Sequence, residues 1–216
     1  MTSHDYDGAY SQTAALFGAE PEEMLVRFIR HMRADLPVLD VGCGQGRNAL
    51  WLAEQGFQVV ALDPSPVAIE AVRASAEQRA LQIETVRGGF VDLAATRSFS
   101  GILIFGLLQI LRREEIRGLL DRVRTWSSRG AIVCVSAWSD RDPSFARVCR
   151  EWMKVGRNSF AHRDGRTRTY LSPGEVVRLF STWEILHHWE GMGPVHRHGG
   201  GPTERHSRVE LVAMRR

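Results

Sequence analysis

Cysteine is scarce: Cys43, Cys134 and Cys149 are the only three in 216 residues. An odd count, with two of the three in apolar surroundings, argues against a secreted disulfide framework and leads us to expect a reducing, cytoplasmic setting. Lysine is almost missing, since Lys154 stands alone among 28 basic residues. The arginines are spread along the chain, so the net charge of +3 reads as a compositional bias and no nucleic-acid surface is expected. Long apolar runs are also lacking. The longest, Ile102 to Leu111, already contains Gly106 and Gln109, and a helical membrane span needs roughly 20 apolar residues. Met1 to Tyr10 is polar, carries Asp5 and Asp7, and shows no apolar core of a signal peptide.

What is present is an ordinary globular composition, 44% hydrophobic and 25% charged, sized for one domain with a sizeable core. Strand and helix signals alternate, predicting an α/β fold: a doubly wound, mostly parallel sheet with helices on both faces. Pro21 opens a helical stretch with Met24, Leu25, Phe28, Ile29 and Met32 on one face. Strands are predicted at Pro37–Val41, Gln58–Asp63, Gln82–Arg87, Ile102–Phe105 and Gly130–Ala137, and helices at Asn48–Gln55, Pro66–Arg79 and Glu114–Trp126. Trp138 to Tyr170 shows no clean period and reads as an insertion over one end of the sheet. Ser172 and Glu175 have the spacing of a helix N-cap and its reciprocal partner. Two last strands, near Trp183–Glu190 and Ser207–Met214, flank the glycine-rich loop Gly199–Pro202. The expected organisation is a single domain over 1–216, with a helical cap at 1–35 and an insertion at 138–170 near an acceptor site.

The informative segment is Asp40-Val41-Gly42-Cys43-Gly44-Gln45-Gly46. Closely spaced glycines between a strand and a helix let a ligand approach bare backbone N–H groups. The dinucleotide fingerprint wants its third glycine at position 47, which is Arg47; here the glycine comes one residue earlier. An acid at the strand end, Asp40, also opposes a pyrophosphate at the helix N-terminus. The ligand implied has no phosphate and carries positive charge. Asp63 closes the second strand 23 residues later, where a carboxylate can accept hydrogen bonds from both ribose hydroxyls. An adenosine with a cationic, phosphate-free tail is S-adenosylmethionine. A dehydrogenase is the main competing reading of the same turn.

From about Leu36 onward the chain resembles the class I S-adenosylmethionine-dependent methyltransferases. The resemblance rests on VLDVGCGQGRNALWLAEQGFQVVALDPSP, GAIVCVSAW and SPGEVVRLF. It implies a Rossmann-like seven-stranded sheet whose last strand is antiparallel. It also implies a cofactor site at Asp40, Gly42, Cys43, Gly44, Gly46, Arg47, Asn48, Asp63, Pro64, Gly89, Phe90, Asp92 and Phe105. The spelling GCGQGRNALWLAEQGFQV and the late Gly193-Pro194-Val195-His196-Arg197 resemble the tellurite-resistance and thiopurine small-molecule branch. That branch implies a thiol, chalcogen oxyanion or small organic acceptor. The chain departs from the family where Gly89 replaces an acid near the adenine; backbone contacts at Gly89, stacking by Phe90, or Asp92 would have to substitute. It departs again at Ser100-Gly101, where an acid is usual, and at Ser128-Arg129-Gly130 before the fifth strand.

Methyl transfer from a sulfonium needs the nucleophile, methyl carbon and leaving sulfur nearly in line. The protein therefore supplies alignment and desolvation, and a general base only for a protonated acceptor. His196 and Arg197 are the expected catalytic pair, Arg197 to hold an anionic acceptor and His196 to donate or accept a proton. Arg205 and Arg208 are candidates to complete a basic pocket. Trp138 and Gln109 are candidates for its lining, and Tyr10 and Phe17 for covers that exclude water. His187, His188, His196, His198 and His206 cluster late in the chain, but no C-x-x-C or H-E-x-x-H spacing accompanies them, so no metal is expected. Two other readings stay open: a non-catalytic adenosylmethionine-binding regulator, and a methyltransferase with a protein or RNA acceptor. Oligomeric state is not legible.

Overall fold

In this computed structural model residues 6–197 and 199–216 are described; Met1–Asp5 of the polar opening stretch and His198 of the late histidine cluster lie outside the described residues. The chain opens with helices α1 (Tyr6–Gln12) and α2 (Glu23–Phe28) and a 3₁₀ turn at Ile29–His31. It continues as β1 (Val38–Val41), α3 (Arg47–Glu54), β2 (Val59–Asp63), α4 (Pro66–Gln78), β3 (Ile83–Arg87), β4 (Phe99–Phe105), α5 (Arg113–Trp126) and β5 (Ser127–Trp138). Then come α6 (Phe145–Glu151), β6 (Met153–Gly156), β7 (Ser159–Ala161), β8 (Thr167–Thr169), α7 (Glu175–Leu179), β9 (Glu184–Met192), β10 (His196–Arg197), β11 (Thr203–Glu204) and β12 (Ser207–Met214).

Seven strands form one sheet in the order β3-β2-β1-β4-β5-β12-β9. β12 pairs antiparallel with both β5 and β9, so it alone runs against its neighbours, as expected for the fold. The central strands are mostly apolar and buried because helices cover both faces, and alternate residues divide between two cores. Leu39, Val41, Val60, Leu62, Ile102, Ile104, Val133 and Val135 pack with Ile116, Leu119, Val123 and Trp126 of α5 and Val176 of α7. Val38, Val59, Ala61, Leu103, Ile132 and Cys134 pack with Met24 and Leu25 of α2, Ala49 and Leu52 of α3, and Ile69 and Val72 of α4. The same period of two puts Asp40 on the α3 face, where it is 2% exposed.

Three local readings are corrected. β4 begins at Phe99 rather than Ile102: Ser100 is fully buried, and its hydroxyl donates to the carbonyls of Arg33 and Leu36 at 2.7 and 2.8 Å. Helix α7 starts at Glu175 with Gly174, not Ser172, as its N-cap. Ser172 Oγ instead accepts from Asn158 at 3.1 Å, while Glu175 returns to the Ser172 N–H at 2.8 Å. The stretch from 138 to 170 is not irregular: α6 is followed by an antiparallel β6-β7-β8 meander around Val148, Phe160 and Tyr170. Its strands of three or four residues are too short to show a period. It docks beside the turn after β4, where Thr169 Oγ1 donates to Leu111 O at 2.6 Å.

Candidate active site

The glycine turn joins β1 to α3 at the carboxyl ends of the parallel strands, where open α/β sheets receive ligands. The N–H groups of Gly42 and Cys43 both donate to Leu62 O, at 2.8 and 3.1 Å, which folds the turn over the end of β2. Gly46 has φ +86°, and a Cβ there would stand 2.7 Å from Val72 Cγ2. Only glycine lets α3 approach α4 this closely. Gly44, at φ +52°, lies under Tyr10, whose hydroxyl would be 3.0 Å from an added Cβ.

Two carboxylates flank this turn. Asp40 Oδ2 is buried and, among the described residues, has no hydrogen-bond partner. Burial pushes its pKa up to about 7, against the pull of Arg47 and the Ala49 N–H and with the help of Asp63. Asp63 is held on both oxygens: Oδ2 accepts from the Gly44 N–H and Oδ1 from the Ser65 N–H, each at 2.9 Å. Burial raises its pKa too, while those two hydrogen bonds restrain the rise. Each Asp63 oxygen keeps a lone pair for a hydroxyl donor. An orphaned buried acceptor next to a rigid, doubly anchored one fits an ammonium and a ribose diol; a buried acceptor of this kind is costly until a donor arrives. The residues present therefore fit adenosylmethionine.

The other expected cofactor residues divide. Cys43 is a buried neutral thiol, since burial and the charges of Asp40 and Asp63 push its pKa well above normal. Arg47 and Asn48 face the chain's start rather than the turn. Arg47 pairs with Glu22, and Asn48 Oδ1 accepts from the Glu22 N–H at 2.9 Å. Pro64 lies half-buried between Asp63 and Ser65, whose hydroxyl caps α4 by accepting from the Ala68 N–H at 3.0 Å. Gly89 follows β3, and its N–H donates to Asp92 Oδ2 at 2.8 Å, so the exposed Asp92 is engaged in its own turn. Phe90 is a correction: its ring is 5% exposed and belongs to the core on the α5 face, so it does not present a stacking surface. Phe105 ends β4 half-buried against the α3-side core.

Gln45, which sequence reasoning passed over, closes the site. Its amide donates to Thr13 O at 2.6 Å and Tyr10 O at 3.3 Å, and its carbonyl accepts from the Leu16 N–H at 2.9 Å. These bonds hold α1 and residues 13–16 over the glycine turn. Tyr6, Tyr10 and Phe17 form an aromatic cluster in this cover. Burial, then the Asp63 charge, raises the Tyr10 pKa, so the phenol keeps its proton at neutral pH. α2, by contrast, belongs to the core layer rather than to the cover.

On the acceptor side the expected pairing of His196 with Arg197 is not made. His196 is the cross-strand partner of Glu204 and Arg197 of Thr203. Successive residues of a strand face opposite ways, so the two side chains diverge. Arg197 is exposed, with Nε donating to Thr203 Oγ1 at 3.1 Å. His196 instead meets His206, ring centroids 5.3 Å apart. His206 belongs to the late histidine cluster, and its partners Asp142 and Trp138 come from a distant segment. Its Nδ1 lies 2.9 Å from Asp142 Oδ2, its Nε2 lies 3.2 Å from Glu204, and its ring stacks on Trp138 at 4.1 Å. Burial works to lower its pKa, but the Asp142 and Glu204 carboxylates outweigh that and raise it. Arg205 donates to Gly193 O at 2.8 Å, and Arg208 pairs with Glu22 and Glu210, so neither completes a free basic pocket. Gln109, after β4, has a buried carbonyl oxygen that, like Asp40 Oδ2, has no partner among the described residues. His187 and His188 lie on β9, beside Glu210 and Glu190.

Among known proteins, residues 38–130 match the methyltransferase domain family. A 2-heptyl-1-hydroxyquinolin-4(1H)-one methyltransferase of Mycobacteroides abscessus is 34% identical over 82 residues, 38% of this chain and 34% of that protein. A probable S-adenosyl-L-methionine-dependent methyltransferase, TehB of Haemophilus influenzae, is 24% identical over 169 residues, 74% of this chain and 50% of that one. The chain thus spans half or less of the length of these relatives. The crystal structure of H. influenzae TehB superposes with a TM-score of 0.71 at 19% identity, covering 98% of this chain and 66% of that one. A Burkholderia thailandensis 1,6-didemethyltoxoflavin-N1-methyltransferase, crystallised with its substrate and S-adenosylhomocysteine, gives a TM-score of 0.67 at 18% identity over 98% of this chain and 83% of that one. Among the described residues no helix is long and apolar enough to cross a membrane. By its matched segment, its strand order and the acid-flanked glycine turn, the chain resembles the class I S-adenosylmethionine-dependent methyltransferases and has their fold.

Proposed function

We propose that this protein transfers the methyl group of S-adenosylmethionine to a small molecule, a thiol, chalcogen oxyanion or small organic acceptor. The observation that carries the proposal is the unpartnered, buried Asp40 oxygen beside the doubly anchored Asp63 carboxylate. Asp40 takes the ammonium of the methionyl group and Asp63 the ribose hydroxyls, while the bare backbone at Gly42 and Gly44 allows close approach. Gly89 contributes its backbone near the adenine, and Phe105 an apolar contact. The cofactor, when bound, supplies a methyl group on a good leaving sulfur. The chain's own part is orientation and exclusion of water, with α1 held down by Gln45 and the Tyr10 ring lying over Gly44.

The acceptor approaches from the side of Gln109, Trp138 and the His196–His206 pair, with the meander at 153–169 as an outer wall. His206, held by Asp142, is positioned to orient an acceptor on this side of the site. The acceptor classes named for the two relatives, a hydroxyquinolinone and a didemethyltoxoflavin, are small and favour this reading over a macromolecular acceptor. The test is calorimetry with S-adenosylhomocysteine, followed by a screen of tellurite, selenite, thiols, phenols and amines for acceptor-dependent release of that product. No binding by folded protein would overturn the proposal; binding without turnover on any acceptor would favour the regulatory reading.

A further inference from the structure

We infer that His196, Glu204 and His206 form a binding site for one divalent ion of the zinc class, with an open position directed to the acceptor. One ligand atom from each residue lies within 4.8 Å of the other two. The architecture explains the convergence: His196 and Glu204 are cross-strand partners on one face of the β10-β11 ribbon, and His206 follows Glu204 by two residues. A tetrahedral zinc site holds its ligands about 3.3 Å apart, so rotations of the partly exposed His196 and Glu204 side chains close the triangle on His206.

The second, independent observation lies behind the ligands. His206 Nδ1 is 2.9 Å from Asp142 Oδ2, and that carboxylate is itself fixed by the Ser207 N–H at 3.0 Å and the Ser144 N–H at 2.9 Å. His196 Nδ1 is 3.1 Å from Pro194 O. In both rings an acceptor behind Nδ1 orients Nε2 outward, the outer-shell arrangement of metal-bound histidines; on His206 the ion takes the place of the proton that Nε2 shares with Glu204 at 3.2 Å in the metal-free chain. Trp138, stacked on His206 at 4.1 Å, fixes the ring plane. Two imidazoles and one carboxylate suit zinc-class ions rather than magnesium or calcium, and three protein ligands leave a fourth place vacant.

The chemical consequence rests on the methyltransferase reading above. A thiol entering the open position gives its proton to solvent and binds as the thiolate. Its sulfur pair then attacks the methyl carbon while the carbon–sulfonium bond breaks toward sulfur, leaving a thioether and S-adenosylhomocysteine.

The experiment uses tag-free full-length protein stripped with EDTA and titrated with Zn²⁺ against a chromophoric chelator. One ion per chain is expected, weakened roughly 10–100-fold by Asp142→Asn, abolished by His196→Ala/His206→Ala, and unchanged by His31→Ala. Co²⁺ in place of zinc should give visible d–d bands that shift when a small thiol is added. No stoichiometric binding, or equal binding by the double variant, overturns the site; bands indifferent to thiol overturn its role. S-adenosylhomocysteine calorimetry on the same samples separates the two ideas: cofactor binding without zinc defeats only this inference, and zinc without cofactor defeats only the methyltransferase reading.

Discussion

Asp40 makes the site's dependence on pH calculable. Its carboxyl is buried, one oxygen is unpartnered, and its pKa stands at about 7 in the ligand-free chain. Only the ionised form attracts an ammonium, so the apparent dissociation constant is the intrinsic one divided by the ionised fraction. That fraction is about 0.09 at pH 6 and about 0.9 at pH 8, so S-adenosylhomocysteine should bind about tenfold more tightly at pH 8. At pH 7 about half a proton per site should leave on binding, read as a dependence of calorimetric enthalpy on the buffer's ionisation enthalpy. The same shift acts on folding with the opposite face. An acid whose folded pKa lies above its unfolded value of about 3.9 makes the folded state less stable as pH rises between the two, by roughly 4 kcal/mol in total as an upper figure. Asp40→Asn should therefore raise the unfolding temperature at pH 8 relative to wild type and change it little at pH 4. It should flatten the pH profile of binding and weaken affinity by about 1.5–3 kcal/mol, the loss of a charge-assisted hydrogen bond. An affinity that is flat from pH 6 to 8 in the wild type, or an Asp40→Asn variant that keeps the wild-type slope, refutes the assignment.

Gly46→Ala should cost about 2–5 kcal/mol in urea denaturation, combining a left-handed backbone with a Cβ 2.7 Å from Val72 Cγ2; adding Val72→Ala should recover the packing part and not the backbone part. Gln45→Ala removes three hydrogen bonds to residues 10–16. Hydrogen exchange there should accelerate and S-adenosylhomocysteine should dissociate faster, with little change in the urea midpoint of the core. His206, whose folded pKa is raised, contributes stability that is complete below its unfolded pKa of about 6.5 and is lost as pH rises through the folded value. In EDTA, His206→Gln should accordingly cost about 1–3 kcal/mol at pH 5.5 and measurably less at pH 9, as read by chemical denaturation.

The parts of this fold legible in the sequence are those built by short-range rules. The short apolar runs VLDV and VVALD, with the glycine turn and a helix stopped at Gly56 between them, set β1, β2 and the placement of Asp40 and Asp63. An aromatic next to a glycine reads the same whether its ring turns toward a ligand or into the core; for Phe90 packing on the α5 side decides it. Ser100 and Gly101 hid the start of β4, since a polar residue in a buried strand is tolerated only when distant carbonyls, here those of Arg33 and Leu36, accept its proton. The acceptor end was least legible. His206, Asp142 and Trp138 are brought together by the antiparallel pairing of β12 with β5, in which Arg208 lies opposite Trp138, and nothing within 60 residues of either announces it. Reading His196 and Arg197 as neighbours in sequence ignored that neighbours in a strand face apart.

Charge is the argument that separates this site from a dinucleotide site of similar outline. The turn brings two carboxylates, Asp40 and Asp63, close enough that the Asp63 charge helps burial raise the pKa of Asp40. The cation that acts on Asp40, Arg47, is not free to offset them: it pairs with Glu22, which is shared with Arg208 and whose pKa those two guanidinium groups lower despite its burial. The net field at the mouth of the turn is negative. A pyrophosphate would meet both carboxylates with only the backbone N–H groups in its favour, since the helix that begins at Arg47 supplies at most about half a unit of positive charge. A ligand bearing an ammonium and a sulfonium meets the same field as attraction, and its ribose finds Asp63 already oriented. Replacing both acids by their amides should therefore reduce the preference for adenosylmethionine over a reduced nicotinamide dinucleotide, measured by competitive titration; a preference that survives the double replacement would show that shape, and not charge, discriminates.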